Sequence, residues 1–199
     1  MASSIWNING LLLIFAILFS IIGSLFIIRI DWKRYLLLFL ISGIIGNIIC
    51  YVFVKIGFYS FPYRLFPKIS LMPFVAISTF FPFYVLLGVR YSPKSWAYKI
   101  PFYWAFIHLG MLGETLVKLN TDLIRYNFEW DFWDSYTWWW IFFLLFDWIG
   151  GLIIPEHLRK PIDSELFRYG NWVWIVFHFI VISTFFLGGY YLGLISKPH

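Results

Sequence analysis

Three titratable side chains lie inside long apolar stretches of this sequence: His108, Asp147 and His178. An ionisable group at the centre of a bilayer costs roughly 2.5–3.5 kcal/mol on insertion scales, so it usually faces the interior of a helix bundle and has a partner. At the rise of an α-helix, His108 would lie about 12 Å, Asp147 about 10 Å and His178 about 9 Å from one side of the bilayer. The sequence therefore predicts one intramembrane polar layer, in which Asp147 faces inward and contacts at least one of the histidines.

Three kinds of chemistry suit this layer. Asp147 and a histidine can form a hydrogen-bonded knot that only holds helices together. Histidine and carboxylate groups at depth are also how proton and ion pathways are built. Two histidines and one aspartate are suitable ligands for zinc or iron, although no spacing motif supports a metal site formed by His108, Asp147 and His178. The sequence identifies no cofactor.

A second group of polar residues lies toward the opposite side of the bilayer. Glu114 is followed one helical turn later by Lys118, an order that predicts an interfacial ion pair with the lysine extending outward. The alternative is an outer gate or ligand contact that Glu114 forms together with Arg125 and the acidic fourth loop (Asp122, Glu129, Asp131 and Asp134). Asn47, about 18 Å from the inner side, is a secondary candidate.

Six apolar runs can position these groups, because the hydrocarbon core of a bilayer needs about 20 apolar residues in a helix. The sequence predicts helices over these six runs: Gly10–Ile30, Tyr35–Val54, Ser70–Val89, Ile100–Val117, Thr137–Ile154 and Trp172–Leu194. The connections are short, so 1–199 is expected to be one all-α domain, a bundle of six transmembrane helices.

The composition supports a lipid environment. Hydrophobic residues make up 61% of the 199 residues and charged residues 13%, whereas a soluble domain has roughly 45–50% and about 25%. A soluble fold of this size could not bury so much apolar surface. The net charge of +5 is expected to set topology and contact anionic lipid rather than nucleic acid. The lipid bilayer is thus the expected partner, with a membrane-protein partner or a second copy of the chain also open.

The distribution of Lys and Arg predicts the orientation. The first, third and fifth loops hold nine: Arg29, Lys33, Arg34, Arg90, Lys94, Lys99, Arg159, Lys160 and Arg168. The opposite side holds six: Lys55, Arg64, Lys68, Lys118, Arg125 and Lys197. The positive-inside rule then places both termini on the non-cytoplasmic side of a cell membrane.

Two loops are rich in aromatic residues, 58–67 and 126–134. Tyr and Trp favour the headgroup level, where the ring body is apolar and the polar atom stays hydrated. These loops are expected to lie at the membrane interface, and an extracellular ligand platform is the alternative.

One segment carries a family resemblance. The stretch Glu114-Thr-Leu-Val-Lys-Leu-Asn-Thr-Asp-Leu-Ile-Arg-Tyr-Asn-Phe-Glu-Trp130, ending near Ser135, is similar to part of a family of small, uncharacterised multi-pass membrane proteins of spore-forming low-GC Gram-positive bacteria. The likeness covers about the second half of the chain. It implies a bacterial multi-pass protein and no particular activity, so no functional residue is carried over.

Three classes of function remain open. The polar layer favours a protein that translocates protons, ions or small solutes. The small size and short loops leave a non-catalytic structural or partner-binding subunit as the alternative. A membrane-embedded metalloenzyme is the third class, although the sequence contains no phosphate-binding loop, nucleophile elbow or His-Glu-x-x-His motif.

Overall fold

The computed structural model describes residues 7–163 and, further along the chain, 178–182, 184–186, 188, 189 and 193. The chain divides into two units, Met1–Pro161 and Ile162–His199. In the second unit, the described positions 178–182 and 184–186 are helical. The rest of the predicted sixth helix, 172–194, lies outside the described residues.

The first unit is almost entirely helical. Its five α-helices are α1 Ile8–Ile28, α2 Trp32–Ile56, α3 Phe74–Tyr91, α4 Trp96–Asn120 and α5 Phe132–Ile153. Two short strands, β1 Tyr59–Ser60 and β2 Arg125–Tyr126, and a 3₁₀ turn, Glu156–Leu158, complete it. Among the described residues, these five helices are long and apolar enough to cross a membrane.

Helix α3 begins four residues later than its apolar run predicted, at Phe74 rather than at Ser70, and two helices begin four or more residues earlier than predicted. Helix α4 begins at Trp96 rather than at Ile100, so Lys99 lies in its first turn instead of in a loop. Helix α5 begins at Phe132 rather than at Thr137, because Asp131 accepts hydrogen bonds from the next backbone N–H groups. The Asp134 side chain in turn accepts from the Asp131 N–H, which completes a capping box. These two aspartates therefore serve the helix terminus.

Helix α3 is the centre of the unit. It packs against α1, α2 and α5, and α4 packs against α5. Two of these approaches depend on glycine, since a Cβ at Gly150 would lie 2.5 Å from Val89 and one at Gly110 would lie 2.5 Å from Trp139. The packing gives one main core at the end of the bundle that holds the α3–α4 loop, and a less filled region at the opposite end.

Candidate functional site

Asp147 is buried, with 2% of its surface exposed. Its Oδ1 accepts hydrogen bonds from Ser92 Oγ at 2.7 Å and from Tyr103 OH at 2.9 Å. Its Oδ2 accepts one from Lys99 Nζ, whose side chain is 12% exposed. Asp147 thus faces the interior of the bundle, where the predicted partner was a histidine and the partners described are a lysine, a tyrosine and a serine. Ser92 follows α3, and the other two belong to α4, so the carboxylate ties three helices together.

His108 does not join Asp147. Its Nδ1 lies 2.7 Å from the Trp104 carbonyl oxygen, and its ring lies 4.3 Å from the Trp104 ring and 5.3 Å from the Tyr136 ring, between centroids. Tyr136 is about 16 Å from Asp147 along α5. In the part of the chain that the structure describes, the expected contact between His108 and Asp147 is therefore not formed.

The error came from the start of α4. Counted from Ile100, His108 lay at the depth of Asp147. The residues that lie at that depth are Lys99 and Tyr103, and His108 is about 7 Å further along the helix. The first turn of α4 contains Lys99, and a charged residue at the edge of an apolar run indicates a loop when hydropathy alone is used. Ser92 and Tyr103 are uncharged, so their residue types do not mark them as partners of Asp147.

The remaining part of the polar layer is His178. It belongs to the second unit, and its contact with Asp147 stays a prediction. Within the described residues, no three His, Cys, Asp or Glu side chains lie close enough to hold a metal ion together.

Two arginine side chains donate hydrogen bonds to backbone carbonyl oxygens at the end of the bundle that holds Asp147. Arg159 Nε and Nη2 donate to the Ile154 carbonyl oxygen at 2.9 and 2.8 Å, which satisfies the end of α5. Arg90 Nη1 and Tyr35 OH both donate to the Leu158 carbonyl oxygen, at 3.1 and 2.8 Å. The third and fifth loops therefore meet beside the start of α2, as an alternating helix topology requires.

The two aromatic loops meet at the opposite end. Strand β1 pairs antiparallel with β2, Tyr59 opposite Tyr126 and Ser60 opposite Arg125. The Tyr63 N–H also donates to the Asp122 carbonyl oxygen at 2.9 Å. We call these paired segments, 58–63 and 122–127, the strap. The beginnings of the two aromatic loops are thus hydrogen-bonded to each other, a pairing that the sequence did not predict.

A cavity of about 610 Å³ lies under the strap, in this less filled end of the bundle. All five helices contribute to its wall, which is almost wholly apolar and rich in aromatic rings. Representative wall residues are Leu13, Ala16, Ile49, Phe53, Ile77, Phe80, Phe81, Tyr84, Gly113, Trp138, Trp139 and Phe142. Among the described residues that line it, Glu114 is the only charged one.

Glu114 is held by the strap and by α5. Its Oε1 accepts a hydrogen bond from Tyr126 OH, and its Oε2 accepts one from Trp139 Nε1 at 2.8 Å. Burial, followed by the nearby Glu114 carboxylate, raises the pKa of the Tyr126 phenol. Tyr126 therefore keeps its proton and remains a donor to Glu114 at any working pH.

The predicted ion pair between Glu114 and Lys118 is not formed. Lys118 Nζ lies 3.9 Å from the centroid of the Tyr126 ring, a cation–π contact. Arg125 pairs instead with Asp122 at 3.4 Å, on the exposed face of the strap, so it is no part of an outer gate with Glu114. The helical spacing rule failed because Tyr126 and Trp139 reach Glu114 first from outside its own helix.

Asn47 connects two helices through the hydrogen bonds of its side-chain amide. Its Nδ2 donates to the Gly43 carbonyl oxygen at 2.7 Å and to Ser78 Oγ at 2.8 Å. These bonds join α2 to α3. They satisfy the amide N–H₂ group within the bundle, and neither Asp147 nor Glu114 is among the partners of Asn47.

Two glycines of α4 allow a matched test of the packing of α4 against α5. A Cβ at Gly110 would lie 2.5 Å from the Trp139 ring, whereas one at Gly113 would have no atom within 4 Å. We expect Gly110→Ala to lower the free energy of unfolding by about 1–3 kcal/mol through overpacking and Gly113→Ala to leave it nearly unchanged. Thermal melting of the two purified variants compares them directly, and equal melting temperatures would contradict the close contact with Trp139.

No protein-family model, curated protein or solved structure matches the chain. The resemblance of Glu114–Trp130 to a bacterial membrane family remains a prediction.

Proposed function

We propose that this chain is a multi-pass integral membrane protein that binds a hydrophobic small molecule inside the bilayer, in the cavity under the strap. The cavity carries the proposal. Pockets for small ligands usually have about 300–1,000 Å³ and a mostly apolar wall with few polar groups. The volume of about 610 Å³, the aromatic wall and the single carboxylate fit that description.

The outer surface of the helices supports membrane insertion. In α1, Ser20 and Ser24 are buried, while Phe15 and Phe26 are 66% and 56% exposed. Water-soluble proteins have the opposite distribution, and a contiguous apolar surface of this kind is unfavourable in water. A bilayer accommodates it. The proposal includes 172–194 as a sixth span, in keeping with the helical positions described there.

The cavity opens sideways. Five lining residues are also exposed: Leu12 and Phe15 of α1, Leu109 and Gly113 of α4, and Trp138 of α5. Four of these five belong to α1 and α4, so we place the mouth between these two helices, at a level where the outer surface is apolar. A ligand would enter it from the acyl chains of the bilayer, which suits a lipid-soluble molecule.

The other end of the bundle is filled. Fully buried side chains from four helices occupy it: Tyr35, Leu38, Val85, Leu86, Tyr103, Ile107, Phe143 and Phe146. Passage of a solute across the bundle would require these residues to move apart. Binding is therefore the better-supported part of the expected small-solute activity, and a proton relay lacks the expected contact between His108 and Asp147.

Topology is part of the proposal and follows from the nine-to-six distribution of Lys and Arg. In a Cys50→Ala background, we expect a single cysteine at Asp122 to react with an impermeant thiol reagent on intact cells and one at Lys94 to be protected. Both positions are exposed loop residues. Labelling at Lys94 and not at Asp122 would reverse the orientation, and labelling at neither would require both loops to be inaccessible.

Photolabelling tests the binding site itself. A long-chain alcohol bearing a diazirine, incorporated into liposomes with the purified protein, should label peptides of the cavity wall, such as those with Phe80 and Trp139. Excess unlabelled dodecanol should remove this signal. Label confined to the outward faces of α1 and α2 and insensitive to dodecanol would show contact with bulk lipid only and contradict the proposal.

A further inference from the structure

We infer that the ligand carries a cationic amine at one end and that Glu114 binds it. The inference rests on the proposed function and names the class of ligand: a cationic amphiphile with one hydrocarbon tail. It depends on three observations: the hydrogen bonds that the Glu114 carboxylate accepts, the aromatic rings of the cavity wall and the apolar remainder of that wall.

The Glu114 carboxylate has unused acceptor capacity. A carboxylate offers about four lone-pair directions, and the protein supplies one donor to each oxygen, from Tyr126 and Trp139. The nearby basic residues Lys118 and Arg125 have other partners. A carboxylate in an apolar cavity is costly unless a cation joins it, so the complementary ligand group is a positively charged donor.

Aromatic rings form much of the cavity wall. Trp139 donates a hydrogen bond to the Glu114 carboxylate, and Trp138, Tyr59 and Trp130 line the same cavity. Ammonium groups are attracted to the faces of such rings, most strongly to Trp. The combination of one carboxylate with several rings favours an amine over a neutral alcohol, and it excludes an anionic headgroup by charge repulsion.

The rest of the wall selects a hydrocarbon tail. Away from Glu114, the cavity is formed by residues such as Ala16, Ile49, Ile77 and Phe80, which offer no hydrogen-bonding side chain. Each methylene group buried there contributes about the transfer energy of a CH₂ group. Polyamines and sugars lack this component and would not fit the wall.

The test compares two probes that differ only in the polar end, dodecylammonium and dodecanol. Each competes against the diazirine-labelled alcohol on the purified protein in nanodiscs at neutral pH. We expect the wild-type chain to bind dodecylammonium about tenfold more tightly than dodecanol, since a hydrogen bond to a charged group is stronger than one between neutral groups. Glu114→Gln should bring that ratio close to one, with most of the lost affinity falling on dodecylammonium.

Glu129→Gln is the matched control. It removes the same charge from an exposed position of the neighbouring loop, so it reports any general attraction of the amine to the acidic surface. The wild-type ratio should persist in this variant. If it fell equally in both variants, surface charge and not the cavity would explain the preference.

The outcomes separate the two claims. Equal affinity for the amine and the alcohol in the wild-type chain overturns the cationic ligand and leaves hydrophobic binding intact. Failure of both probes to compete overturns the binding site as well. Should Glu114→Gln not fold, the wild-type ratio alone decides between these results.

Discussion

Asp147→Leu should lower the free energy of unfolding by about 3–5 kcal/mol, because it leaves a buried lysine without its counter-charge. Lys99 is mostly buried, and its ammonium group contacts the Asp147 carboxylate directly. The same change removes the acceptor of Ser92 and Tyr103. Thermal melting of the purified protein in mild detergent should show a large fall in melting temperature.

The double variant Asp147→Leu with Lys99→Met should recover part of this loss, since replacing both members of a buried pair by apolar residues is often nearly neutral. Recovery will be incomplete because the hydroxyls of Ser92 and Tyr103 lose their acceptor. Lys94→Met is the matched control, because the Lys94–Glu156 pair is exposed and its loss should not move the melting temperature. Coupling of Asp147 to His108 instead of Lys99 in a double-mutant cycle would contradict this account.

Gly113→Phe should abolish most ligand binding while the protein stays folded. The new ring would enter the cavity, where nothing lies within 4 Å of the Cβ position. It would displace several methylene groups of the ligand, each contributing about 0.8 kcal/mol, so we expect the affinity for dodecanol to fall by roughly 50-fold. Competition against the diazirine-labelled alcohol measures the affinity, and thermal melting checks the fold.

Leu112→Phe is the control for this variant. Leu112 is the preceding residue of α4 and is 55% exposed on the outer surface, so an aromatic ring there adds bulk without entering the cavity. It should bind dodecanol as the wild-type chain does. Equal affinities in Gly113→Phe and Leu112→Phe would mean that dodecanol binds elsewhere.

The sequence predicted the five helices of the first unit because each is an apolar run of membrane-spanning length. It predicted their ends less well, since capping side chains and not hydropathy decide where a helix begins. Asp131 extends α5 by one turn beyond its apolar run, and the first turn of α4 contains a lysine. Because the start of α4 was predicted four residues too late, His108 was assigned to the depth of Asp147 and Lys99 was assigned to a loop.

The contacts of Glu114 show a second limit. The sequence predicted a partner within the same helix, Lys118, because local spacing is all that a single sequence displays. Its actual partners come from β2 and α5, and the pairing of β1 with β2 joins loops more than sixty residues apart. A cavity is a gap in packing, and a composition of large apolar residues cannot reveal where such a gap lies.

The most direct test of the central claim is an anomalous difference map from crystals soaked with 12-bromododecan-1-ol. The account predicts a bromine peak inside the cavity, among residues of the wall such as Phe80, Phe81 and Gly113. Peaks found only along the outward faces of the helices, with none in the cavity, would contradict it.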